Sequence, residues 1–164
     1  MPAVRLADGD LNYLLEGPAG APVLMLSNSL GTDLHMWDVQ MPALTRHFQV
    51  LRYDTRGHGQ SLVTEGPYSI EQLGRDVLAL LDALDIAKAH FCGLSMGGLI
   101  GQWLALNAPE RIARLVLCNT AAKIGTKDMW ADRVRAVQDS GIEPMADTIM
   151  ERWFAAPFRA GARL

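Results

Sequence analysis

The stretch AHFCGLSMGGLIG, residues 89–101, decides how this chain folds. An apolar run climbs to one hydroxyl, Ser95, and glycines stand around it at Gly93, Gly97 and Gly98. Residues 89–95 have the length and character of a buried strand, and residues 96–109 read as a helix stopped by Pro109. Ser95 therefore falls on a strand-to-helix turn, inside the pattern G-x-S-x-G at Gly93–Gly97. On such a turn a nucleophilic serine takes a strained backbone conformation that lifts its hydroxyl to the C-terminal edge of a sheet. The helix behind it supplies free N–H groups and a partial positive charge, which suits a developing oxyanion. A side chain at Gly93 or Gly97 would collide with backbone in so tight a turn. The plainer alternative is that the glycines only allow close strand–helix packing and that Ser95 caps the helix. A bare G-x-S-x-G does not separate the two, but a strand before it and a helix after it favour the nucleophile.

Outward from this stretch the pattern repeats. Residues 11–17, 22–28, 48–54 and 112–120 read as further strands. Residues 36–48 have a helical pattern interrupted by Pro42, which predicts a short or kinked helix. Residues 55–67 form a glycine-rich loop. Ser69 with Gln72 makes a capping box ahead of Leu73, Val77, Leu80, Leu81 and Leu84, an apolar stripe at helical spacing. Strands and helices alternate from about residue 22 to 120, so the fold class is α/β with a mostly parallel sheet and flanking helices. Beyond Thr120 the character changes. Residues 127–154 read as two amphipathic helices split by Gly141 and Pro144, and FRAGARL, residues 158–164, fits neither helix nor strand.

Composition narrows the function. With 49% hydrophobic and 20% charged residues over 164 positions, the chain can build a globular core. A net charge of −3 leaves no basic footprint for nucleic acid. No apolar run approaches the roughly 20 residues that span a bilayer, so no membrane partner is expected. The start, MPAVRLADGD, lacks the apolar segment of a signal peptide, and a cytoplasmic location is expected. Cys92 and Cys118 sit in apolar stretches and read as small buried hydrophobes. No Cys/His spacing suggests zinc, and no metal is expected.

Two other stretches bear on Ser95. LSNSLGTDLHMW, residues 26–37, leaves the second strand, and its backbone N–H groups are placed to supply a further oxyanion donor. YDTRGHGQS, residues 53–61, leaves the next strand in a glycine-rich turn. Each alone reads as a plain loop. Together, D-x-R-G-x-G-x-S at Asp54–Ser61 and G-x-S-x-G-G at Gly93–Gly98 resemble the α/β-hydrolase superfamily. More narrowly, the chain resembles the 3-oxoadipate enol-lactonases, lactone hydrolases of the β-ketoadipate pathway of aromatic catabolism. SNSLGTDLHMWDVQMPAL, LRYDTRGHGQS and FCGLSMGGLIGQWLA carry that resemblance, which covers about residues 1–130. Many relatives place His-Gly where this chain has Asn28–Ser29. The resemblance implies an α/β-hydrolase fold, Ser95 as nucleophile, and the N–H groups of Leu30 and Met96 as oxyanion donors. It implies no cofactor and a small lactone or ester as substrate.

The same resemblance exposes a gap. The family's triad runs Ser, Asp, His along the chain, yet His35, His47, His58 and His90 all precede Ser95. The expectation is an N-terminal portion of such an enzyme, truncated before the last strands and inactive alone. It would comprise a hydrolase core at residues 1–123 and the start of an incomplete helical cap at 124–164. His58 is expected to be structural in the Gly57–Gly59 turn, and His35 is the one upstream histidine near the oxyanion loop. Asp128, Asp132 and Asp139 read as solvated helix faces. Arg133, Arg152, Lys123 and Lys127 are candidates to meet a substrate carboxylate, with solvated surface as the alternative. An unpaired sheet edge would favour self-association. The rival readings are another hydrolase of the superfamily, a carboxylesterase or a cofactor-free haloperoxidase or perhydrolase, and a non-catalytic fragment.

Overall fold

Six strands make one sheet: β1 (Ala3–Leu6), β2 (Gly9–Glu16), β3 (Val23–Ser27), β4 (Gln49–Tyr53), β5 (Ala89–Leu94) and β6 (Ile112–Cys118), in the order β1-β2-β4-β3-β5-β6. The computed structural model describes residues 2–161. They divide into two compact units, Met1–Ala122 and Lys123–Leu164, and the sheet belongs to the first. β4, β3, β5 and β6 run parallel, as the alternation of strands and helices predicts. β1 and β2 form an antiparallel hairpin that joins the sheet through β2 and β4. β1 was not expected, because four residues are too few for an alternating pattern to register.

The crossovers explain the packing. α2 (Ile70–Ala83) links β4 to β5, and α3 (Met96–Asn107) links β5 to β6. Successive strand residues point to opposite faces. Met25, Leu51, Tyr53 and Phe91 share one core with Leu73, Val77, Leu80 and Leu81 of α2 and Ile100 and Leu104 of α3. Leu24, Leu26 and Val50 serve a second, smaller cluster with Met41, Trp37, Leu44 and Phe48. The apolar stripe read from the sequence is thus the buried face of α2. Its start is fixed by Ser69, whose hydroxyl accepts the Gln72 N–H at 3.1 Å, a cap worth about 1 kcal/mol.

The helical pattern at residues 36–48 becomes two short pieces rather than one kinked helix. These are a 3-10 turn at Leu34–Trp37 and α1 (Met41–Leu44), with Pro42 in its first turn. Asp33 accepts the His35 N–H at 2.9 Å and starts the turn earlier than the apolar periodicity suggests. Among the described residues nothing pairs with the outer edge of β6, where Val116 and Leu117 are 51% and 44% exposed.

The second unit is helical, with α4 (Lys127–Ser140), α5 (Ala146–Trp153) and α6 (Ala156–Gly161). Thr126 caps α4 by accepting the Met129 N–H at 3.2 Å, and Gly141 ends it with a φ of 76°. The expectation that FRAGARL is irregular is overturned for Phe158–Gly161, which belong to α6. Pro157 sits in that helix's first turn, where a missing N–H costs nothing, and Phe154 stacks on Phe158 at 5.2 Å. Ala162, Arg163 and Leu164 of that stretch lie outside the described residues. No described helix is long and apolar enough to cross a membrane.

Candidate active site

Ser95 stands between the end of β5 and the start of α3 with φ 54° and ψ −110°. For a residue with a Cβ that conformation costs about 1–3 kcal/mol and persists only where its surroundings impose it. The surroundings are specific. The Ser95 N–H donates to the Cys118 carbonyl of β6 at 2.9 Å. Its carbonyl accepts the N–H groups of Gly98 and Leu99 and the Thr120 hydroxyl at 3.0, 3.2 and 2.8 Å. Its side chain makes no capping hydrogen bond, so Ser95 is not held here as an ordinary helix cap.

The glycines set how close the elbow comes to the sheet. A Cβ on Gly93 would lie 2.2 Å from the Gly97 carbonyl oxygen, and one on Gly97 would lie 2.2 Å from that of Ser27. The first turn of α3 is therefore pressed against the end of β3, from which the chain leaves as the loop Asn28–Asp33. A hydrogen bond from the Gly97 N–H to the Asn28 carbonyl, 3.0 Å, ties loop and elbow together. Among the described residues, neither the Leu30 N–H nor the Met96 N–H enters an internal hydrogen bond. Two main-chain donors thus remain unspent, one on each side of that tie.

The loop is anchored along its length. Asn28 donates from Nδ2 to the Tyr53 carbonyl at 2.9 Å and accepts the Trp37 indole N–H at 2.8 Å. Ser27 shares a 2.8 Å hydrogen bond with the Tyr53 hydroxyl, whose pKa burial pushes up to about 12. The Gly31 N–H donates to His58 Nε2 at 3.0 Å, and the Leu34 N–H to Asp54 Oδ1 at 2.8 Å. The D-x-R-G-x-G-x-S segment is thus the loop's support. Asp54 is 2% exposed and also accepts from Asn12 Nδ2 and the Gln60 N–H, at 2.8 and 2.9 Å. Arg56 donates through two nitrogens to Asp76 at 2.8 and 2.7 Å and also to Asp8. Those hydrogen bonds, Asp76 first, raise the guanidinium further above its ordinary pKa, and the bond to Arg56 lowers that of Asp8. Ser61 donates to the Asp54 carbonyl at 2.6 Å and accepts the Asn12 N–H at 2.9 Å. Sequence reasoning expected a structural role for His58 and left the other roles unassigned. The signal was there, as polar residues interleaved with glycines directly after an apolar strand.

The other candidates stand apart. His35 lies on the 3-10 turn with its ring 3.1 Å from Asp38, and no hydrogen bond among the described residues joins it to Ser95. His90 packs edge-on to Phe48 on the sheet. In the second unit Lys123, Lys127 and Arg152 are exposed, and the Arg133 guanidinium lies 5.5 Å from the centre of the Trp130 ring. Asp128, Asp132 and Asp139 are exposed on α4. Among the described residues no group of three His, Cys, Asp or Glu side chains is placed to hold a metal ion.

A strained serine on a glycine-fenced turn, in a sheet of this order, is an arrangement with known relatives. A family model for the alpha/beta hydrolase fold matches residues 22–139. This chain belongs to that family. It is 51% identical over 151 residues to the 3-oxoadipate enol-lactonase 2 of Acinetobacter baylyi, a match covering 92% of this chain and 57% of the relative. The crystal structure of the enol-lactonase from Burkholderia xenovorans LB400 superposes with a TM-score of 0.94 at 50% identity, covering 97% of this chain and 62% of that one. A hydrolase from Pseudomonas aeruginosa gives a TM-score of 0.95 at 52% identity over 99% of this chain and 62% of its own. The chain thus spans a little over half the length of the curated relatives it matches.

Proposed function

We propose that this chain carries the nucleophile and the oxyanion donors of a serine hydrolase acting on a small lactone, 3-oxoadipate enol-lactone. The observation that carries the reading is Ser95 itself, held at φ 54° and ψ −110° with its hydroxyl unspent on capping. The roughly 50% identity to enol-lactonases supports the substrate class. Ser95 Oγ attacks the lactone carbonyl and its proton passes to a general base. The carbonyl oxygen, now negative, is met by the Leu30 and Met96 N–H groups, donors of the kind that are each worth about 10²–10³ in rate. Collapse breaks the ring C–O bond. The leaving enol stays tethered in the acyl-enzyme, and water then releases the open-chain keto diacid. No cofactor takes part.

No histidine follows Ser95 in these 164 residues, so the last member of the order Ser, Asp, His is not among them. Without a base the serine is a neutral alcohol and a weak nucleophile. The chain alone is therefore expected to turn over enol-lactone slowly or not at all. The helical unit from Lys123 onward we read as the start of a helical cap.

Covalent trapping tests the reading. The chain and its Ser95→Ala variant are treated with a fluorophosphonate and the modified residue is located by mass spectrometry. Slow labelling confined to Ser95 and absent from the variant is expected. Labelling elsewhere, or unchanged in the variant, would overturn the nucleophile assignment. Fast, saturable labelling would mean that a base is present after all. On active protein, a panel of enol-lactone, a saturated lactone and p-nitrophenyl esters tests the substrate class, which fails if simple esters are preferred.

A further inference from the structure

We infer that His58 is a positioning residue of the oxyanion site: its neutral imidazole holds the Gly31 N–H and so fixes the turn that presents Leu30. The inference rests on the reading of Leu30 as an oxyanion donor and goes beyond it by giving a role to a side chain outside the elbow.

The partners fix the state of the ring. The Gly31 N–H, 3.0 Å from Nε2, can only donate, so Nε2 carries no proton. The Arg56 carbonyl, 3.1 Å from Nδ1, can only accept, so Nδ1 carries the proton. Both nitrogens are used: the Arg56 carbonyl requires the proton on Nδ1, the Gly31 N–H excludes one from Nε2, and together they select one neutral tautomer. An imidazolium would set a second N–H against that of Gly31.

The ring is also aimed. The His58 N–H donates to Thr55 and its carbonyl accepts from Ser61, at 2.9 and 3.1 Å. Gly57 and Gly59 flank it at φ 78° and 52°. The turn is clamped on both sides, by the Asp54 carboxylate on Gln60 and by Arg56 on Asp76. His58 therefore reaches Gly31 from a rigid base.

On the receiving side, the Thr32 N–H and hydroxyl both donate to the Ser29 carbonyl, at 3.3 and 2.9 Å. Leu30 and Gly31 are thus the central pair of a four-residue turn. A φ of +80° at Gly31 is that of a type II turn. Type I and type II turns differ by a flip of the peptide between the two central residues. That peptide's N–H is the one His58 accepts, so the bond selects one flip state. Gly31 is exposed and nothing lies within 4 Å of its Cβ position, so packing does not select it. Releasing the bond frees the turn that carries the Leu30 N–H.

The test compares fluorophosphonate labelling of Ser95 in the chain with His58→Phe, which fills the turn without an acceptor, and His58→Gln, whose amide can accept from Gly31 and donate to Arg56. Thermal midpoints are taken alongside, and the His58 tautomer is read from its ¹⁵N imidazole shifts. Expected are an Nδ1-protonated ring, labelling slowed about tenfold or more in His58→Phe, and most of the rate recovered in His58→Gln. Parent labelling at Ser95 with an unchanged rate in His58→Phe would overturn the role of His58 and leave the nucleophile standing. Equal slowing in both variants would overturn the hydrogen-bond argument. Failure of the parent to label at Ser95 would remove the nucleophile reading and this inference with it. Should His58→Phe not fold, an Nε2-protonated ring in the parent would still refute the inference.

Discussion

Gly97→Ala is the substitution for which the structure makes the sharpest demand. The added methyl would lie 2.2 Å from the Ser27 carbonyl oxygen, 2.5 Å from its carbonyl carbon and 2.8 Å from its hydroxyl oxygen. Ordinary contact begins near 3.4 Å, so the start of α3 and the end of β3 must separate by about 1 Å. The two nearest atoms are backbone, so turning the Ser27 hydroxyl away does not relieve the collision. Overpacking of this kind costs about 1–3 kcal/mol. The same movement stretches the Gly97–Asn28 hydrogen bond beyond its 3.0 Å, which adds about 1 kcal/mol. Together about 3 kcal/mol is lost, a large part of the 5–15 kcal/mol typical of a folded domain. Displacing Ser95 from the Leu30 loop by such a distance should also slow labelling of Ser95 by about 10²-fold. Gly20→Ala is the comparison. Gly20 has a φ of 81° but no atom within 4 Å of its Cβ position, so it carries only the backbone cost of about 1–2 kcal/mol. Urea unfolding of the two variants isolates the collision. If Gly97→Ala is no less stable than Gly20→Ala and labels at the parent rate, the close seating of the elbow on β3 is wrong.

Three further outcomes are expected. Ser95→Gly relieves the strain at φ 54° and should raise stability by about 1 kcal/mol while abolishing labelling; a lower unfolding midpoint would contradict the strain. Arg56→Ala leaves the Asp76 carboxylate, 9% exposed, without its partner and should cost about 3–5 kcal/mol in urea unfolding; a loss below about 1 kcal/mol would mean the pair is not clamped as described. Burial, and then the neighbouring Cys118 thiol, push the Cys92 thiol from near 9 to about 11. The folded chain thus keeps this proton to higher pH than the unfolded one, so the thiol's contribution to stability is complete below about pH 9 and is lost as pH rises toward 11. Cys92→Ala should flatten that fall, and Cys92 should react slowly with thiol reagents near neutral pH; an equal decline in parent and variant would refute the shift.

What was legible in the sequence follows a physical divide. A strand buried on both faces announces itself, and the continuous apolar run at residues 22–28 is β3. α2 was read from its cap and its stripe, because Ser69 and Leu73 to Leu81 satisfy local rules that tertiary contacts reinforce. β1 and α6 were missed because four and six residues hold two repeats or fewer of the periods that reveal a strand and a helix. The turn after β3 was mis-shaped because Asp33 starts it through a side-chain bond that apolar periodicity does not encode.

The site divides the same way. G-x-S-x-G is only partly a local device: Gly93 is explained within one turn of the chain by the Gly97 carbonyl, whereas Gly97 is pressed against Ser27 of β3. The support of the oxyanion loop is not local: Asp54 reaches Leu34 and Asn12 across 20 and 42 residues, and His58 reaches Gly31 across 27. No spacing rule names such partners. Yet composition hinted at them, since Asp54, Arg56, His58 and Ser61 crowd one glycine-rich turn just after a buried strand. Such a turn cannot afford unpaired polar groups under a core, so each must find a partner elsewhere in the fold. All four reach the β1–β2 hairpin, α2 or the loop after β3; Ser61 also closes back on Asp54. The D-x-R-G-x-G-x-S segment therefore acts as a bracket between the sheet edge and the oxyanion loop. The loop proposed to present the Leu30 N–H to a developing charge is held by its own Asn28 and Thr32 side chains, and this bracket adds fixed points at Gly31 and Leu34.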